Sequence, residues 1–80
     1  MASNRKSPRI LGVRQWFGPD EWAVLITRKQ FFRVPRWVHY HMHYFYEPPR
    51  HVEIIILAKD ELEAMMRFNQ LWADLPKEGE

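Results

Sequence analysis

Eighty residues without a cysteine describe one domain on one small apolar core, and exclude disulfides, a thiolate metal site and a cysteine nucleophile. No apolar run approaches the roughly 18 residues of a membrane span, and residues 1–9 lack the apolar stretch of a secretory signal, so a soluble, cytoplasmic protein is expected. The net charge of +2 hides a gradient: residues 1–36 hold eight Lys/Arg against Asp20 and Glu21, whereas residues 51–80 hold three against seven Asp/Glu.

Residues 1–8 are polar and basic and read as a flexible arm. Arg5, Lys6 and Arg9 can meet phosphates or an acidic protein from it, or simply remain solvated. Residues 9–76 then form the domain, and residues 77–80 a loose tail. Residues 9–17 read as a first strand, with Leu11 and Val13 on one face and Ile10, Arg14 and Trp16 on the other. Gly12 suggests a bulge or a close approach of backbone. Gly18-Pro19-Asp20-Glu21 suits a type I turn.

Residues 22–32 admit two readings. As a strand, Trp22, Val24 and Ile26 share a face. As a helix, Pro19 sits in the first turn, with Asp20 and Glu21 at its positive end. The β-branched run favours the strand, giving the order ββββα; the helix gives βαββα. Residues 29–35 are then a loop. Its aromatics Phe31 and Phe32 lie among Arg28, Lys29 and Arg33. Rings for bases and cations for phosphates are what single-stranded nucleic acid requires. The alternative is that both phenylalanines tuck under the sheet.

Residues 36–46, between Pro35 and Pro48, are aromatic and β-branched and read as the strand that organises the fold. Alternation puts Val38, Tyr40, Met42, Tyr44 and Tyr46 on the core face. It puts Trp37, His39, His41, His43 and Phe45 outside. Alternate imidazoles on a strand stand roughly 6.5–7 Å apart, so two or three can converge on zinc, with Glu47 or His51 completing the shell. Solvated histidines on an open sheet face are the simpler expectation.

Residues 47–50 turn the chain, and residues 51–58 form a strand. The run Ile54-Ile55-Ile56-Leu57 places it in the middle of the sheet. Asp60 and Glu63 match a capping box, with aspartate as the cap, opening a helix that stops at Pro76. Leu62, Met65, Met66, Trp72 and Ala73 form its expected core stripe. Ala64, Phe68, Leu71 and Leu75 widen the apolar arc to about 200°, more than one core usually takes; either so small a protein wraps its helix deeply, or Phe68, Leu71 and Leu75 dock on a partner or a second copy.

Enzymatic chemistry is poorly supplied. There is no Gly-rich phosphate loop and no His-Glu-x-x-His. The serines are only Ser3 and Ser7, in the arm. Glu47 and Glu53 can flank the histidines for acid–base work, but nothing positions a substrate. Neither catalysis nor a cofactor is expected. The expected fold is α+β, an antiparallel sheet with the C-terminal helix on one face. The expected function is a non-enzymatic protein-binding module, an adaptor or inhibitor, capable of homo-oligomerisation. Its contact residues are Arg14, Arg36, Trp37, His39, His41, His43, Phe45, Phe68, Leu71 and Leu75, because aromatics and arginine anchor interfaces. The alternative is a nucleic-acid-binding module using Arg28, Lys29, Phe31, Phe32, Arg33 and Arg36. Metal binding by His39, His41 and His43 comes third.

Overall fold

The strand at the end of the isoleucine run holds the centre. In the computed structural model, which describes residues 7–75, β1 is Gly12–Gln15, β2 is Glu21–Thr27, β3 is Tyr44–Glu47 and β4 is His51–Leu57. They form one antiparallel sheet in the order β1-β2-β4-β3. β4 pairs with both β2 and β3, as a strand apolar on both faces should. Two helices are present, α1 at Arg28–Phe31 and α2 at Glu61–Asp74, with a 3-10 helix at Arg36–His41 between α1 and β3. This is a small α+β fold of two layers, helix on sheet. The expected arm and tail fall almost wholly outside the described residues.

The strand reading of residues 22–27 holds, and the chain becomes helical only at Arg28. Thr27 stops the strand and caps α1, its Oγ1 accepting from the Gln30 N–H at 3.2 Å. Gly12 pairs in regular register with Leu25. No bulge forms, and a Cβ there would meet open space. Regular pairing starts at Gly12 rather than residue 9, which leaves Leu11 largely exposed.

The largest correction concerns residues 36–41. They are helical, and only Tyr44–Glu47 is strand. Burial here does not alternate: Val38 and His39 are buried side by side, with Val34 and Met42 buried before and after them, while Tyr40 is exposed. In a strand Val38, Tyr40 and Met42 would share one face and His39 would lie on the other; a helical turn instead separates Tyr40 from Val38 and Met42. Tyr40 is accordingly exposed, not core.

α2 is capped as expected. Asp60 Oδ1 accepts from the Glu63 N–H at 2.8 Å, and Glu63 Oε1 accepts from the Lys59 N–H at 2.7 Å. Its phase differs from expectation. Ala64, Phe68, Trp72 and, just past its end, Leu75 are buried against the sheet, while Leu62 and Met66 are exposed. They meet Val24, Ile26, Val52, Ile54 and Ile56 in one core cluster that also takes in Phe31, Val34 and Val38. Trp22 closes one edge, its Nε1–H donating to the Ala58 carbonyl at 3.0 Å.

Candidate functional site

The turn from β2 into α1 creates the first site. Arg28 and Phe32 stand four apart at this turn, so both reach the same side while Phe31 goes into the core. The pairing of Thr27 with His51 brings the β3–β4 turn alongside. The Arg28 N–H donates to the Arg50 carbonyl at 2.7 Å, and its Nη1–H reaches the Pro49 carbonyl at 3.4 Å. The Arg28 guanidinium carbon lies 4.9 Å from the Tyr46 ring centroid and 5.6 Å from that of Phe32. The two rings stack at 6.1 Å and 29°. Beside them is an open cleft of about 430 Å³ lined by Thr27, Arg28, Lys29, Phe32, Pro49 and Arg50.

No acidic side chain among the described residues lines this cleft, and none occurs between Trp22 and Tyr46. Lys29 and Arg50 are exposed, and neither is ion-paired among the described residues. Phe32 is 51% exposed. The cleft therefore offers a ring face, an apolar wall and three uncancelled cations.

Of the six residues expected to grip nucleic acid, the fold joins Arg28, Lys29 and Phe32 here. Arg33 and Arg36 are exposed nearby in sequence but do not line the cleft. Phe31 is core, not contact surface. Tyr46, Pro49 and Arg50 were not anticipated. Their signal was the antiparallel pairing of residues 21–27 with residues 51–57, which sets the β3–β4 turn beside the end of β2.

The second site is the sheet face away from α2. No helix or strand among the described residues covers it, yet Ala23, Glu53 and Ile55 are buried there. Side chains from the two edge strands reach over them. Trp16, just past β1, stacks on Phe45 of β3 at 5.4 Å and 25°. The Arg14 guanidinium lies 4.9 Å from the Trp16 ring and pairs with Glu53. That hydrogen bond, opposed by slight burial, raises the Arg14 pKa above its usual value. His43 packs against Phe45 at 5.3 Å. Beyond this roof Phe17 and Leu57 stand 88% and 65% exposed.

The expected protein-binding set does not assemble on one face. Arg14, His43 and Phe45 share the open sheet face. Arg36, Trp37 and His41 sit on the 3-10 helix. Phe68 and Leu75 are buried under the sheet, and Leu71 packs against the same core. These three are structural, because α2 turns to the sheet the face expected to meet a partner.

His39 is also reversed. It is buried, stacked on Phe31 at 3.8 Å and 15°. Its Nε2 lies 3.0 Å from the Phe31 carbonyl. A carbonyl only accepts, so Nε2 is the donor. A ring so committed is not free to join His41 and His43 on one ion. No group of three His, Asp or Glu side chains among the described residues could hold a metal. Next to it, burial pushes the Tyr44 hydroxyl pKa up, with Tyr46 adding to the effect.

No family model, curated protein or solved structure matches this chain. No helix among the described residues is long and apolar enough to cross a membrane.

Proposed function

We propose that the protein binds single-stranded nucleic acid through the cleft formed by Arg28, Lys29, Phe32 and Arg50. One observation carries this reading: three cations and an exposed ring border one space that no carboxylate of the described residues lines. Every base has a π-face, so a ring such as Phe32 accepts bases with little regard to sequence, at about 1–3 kcal/mol for each stacked base. The cations neutralise phosphates and release the counterions that a free strand condenses. Arg28, already seated on Tyr46, is preorganised and loses little freedom on contact. A mixed-sequence labelled oligonucleotide, titrated at two salt concentrations, tests the proposal. Binding at low salt that fades steeply as salt rises is expected. Absence of binding at low salt would overturn it.

A second reading is the protein-binding module, an adaptor or inhibitor, acting through the open sheet face. The observation favouring it is the exposure of Phe17 and Leu57 beside Phe45, since large apolar groups clustered in the open mark contact surfaces. Sedimentation over a wide concentration range tests the form in which the partner is a second copy. Association that disappears in Phe17→Ser/Leu57→Ser supports it, and a monomer at the highest concentration removes that form.

A further inference from the structure

We infer that the cleft takes the phosphorylated end of a strand rather than an internal phosphodiester. This deepens the nucleic-acid reading and rests on it. The charge balance of the cleft carries the inference. Arg28, Lys29 and Arg50 line a single space of about 430 Å³, and no Asp or Glu among the described residues lines it with them. Neither Lys29 nor Arg50 is ion-paired among the described residues. The contact from Arg28 to the Pro49 carbonyl involves a neutral acceptor, which leaves the guanidinium charge uncancelled.

An internal phosphodiester carries one negative charge and would leave two of the three cations unmatched. A terminal phosphate monoester carries about −1.5 to −2 and presents three strong acceptor oxygens. Three cations around one such group can give each of its three oxygens a donor and leave about one charge unmatched, against two for the diester. Arginine suits this task because its fork of N–H groups matches phosphate geometry, and lysine serves as a point charge. Arg28 is also fixed in place by two rings, so one donor is set before the ligand arrives. The terminal base then lies on the exposed face of Phe32, with Pro49 as the apolar wall.

The test uses the full chain and one short single-stranded oligonucleotide in three forms: 5′-phosphorylated, 3′-phosphorylated and hydroxyl at both ends. Affinities are read by fluorescence anisotropy at one fixed salt concentration. One phosphorylated form is expected to bind at least about tenfold more tightly than the hydroxyl form, the worth of one charge-assisted hydrogen bond. The preference should vanish in Lys29→Gln/Arg50→Gln and persist in Arg36→Gln, which removes a basic charge outside the cleft. Equal affinity for all three forms overturns the inference while the nucleic-acid reading stands. An equal loss of preference in Arg36→Gln also overturns it, because a diffuse basic field would then be responsible. Failure of every form to bind overturns both.

Discussion

Arg14 on the edge strand β1 and Glu53 on the central strand β4 form a two-point ion pair. Arg14 Nε lies 2.7 Å from Glu53 Oε2, and Nη2 lies 2.8 Å from Oε1. Glu53 is buried to 6% side-chain exposure while Arg14 remains 60% exposed. The pair is thus asymmetric. Glu53 has left water and depends on Arg14, whereas Arg14 has kept its solvent.

That asymmetry sets the first prediction. Arg14→Met strands a buried carboxylate and should cost about 2 kcal/mol, between the values for exposed and fully buried pairs. Arg14→Met/Glu53→Leu should recover most of the loss, because the second change removes the charge left unpaired. Urea denaturation of the two single variants and the double variant measures the coupling. Purely additive losses would show that the pair contributes nothing.

The helix phase gives the second. Phe68→Ala removes a fully buried ring and should destabilise by about 3–5 kcal/mol. In so small a protein that is enough to leave much of the population unfolded. Leu62→Ser and Met66→Ser, on the exposed face, should each lie within about 0.5 kcal/mol of the parent. A reversal of this order in thermal unfolding would mean that α2 packs through its other face.

His39 supplies a third. Its ring stacks on Phe31 and donates to the Phe31 carbonyl. His39→Ala removes both and leaves that carbonyl without this donor, for about 2–4 kcal/mol. His41→Ala and His43→Ala, at exposed positions, should be near neutral. Equal losses at all three positions would contradict the inward placement of His39.

The start of α2 should respond to acid. The Lys59 backbone N–H, with smaller help from the Arg67 and Lys59 charges, lowers the Glu63 pKa below its usual value. A carboxylate depressed in the folded state contributes stability that is present above its unfolded pKa. That stability is lost as pH falls through the lower, folded value. Far-ultraviolet circular dichroism during acid titration should show the parent losing helix in this window, while Glu63→Gln starts lower and changes less there. Identical titrations would discount the contact.

Binding at the cleft makes a quantitative demand on salt. With Arg28, Lys29 and Arg50 together neutralising the phosphate charge in the cleft, the logarithm of the binding constant should fall against that of salt concentration with a slope whose magnitude reaches about 2. Arg50→Gln should lower the magnitude of that slope by about 0.7. A slope unaffected by Arg50→Gln would place the phosphates elsewhere.

Local signals in the chain were enough to establish the α+β class. The β-branched run at residues 22–27 and the isoleucine run at residues 54–56 identified two strands. Two-sided apolarity put the second in the middle, and Asp60 marked the start of α2. Each signal works within a few residues, where side-chain period and capping act directly. The 3-10 helix had no such signal, since Val34, Val38 and Met42, spaced by four, fit one face of a strand as well as one of a helix. Rings with high strand propensity pointed to a strand there, but propensity is a weak preference that packing overrides.

Tertiary structure alone decided which way side chains faced and which came together. The apolar arc of α2 is too wide to fix its own phase, so contact with β2 and β4 selected Phe68 over Met66 as the buried residue. Phe31 and the need to fill space beneath it drew His39 inward. The cleft joins residues 27–32 to residues 49–50, and the roof on the open face joins Trp16 to Phe45. Such contacts exist only after the strands have paired, since no local period records how far apart in the chain two partners lie.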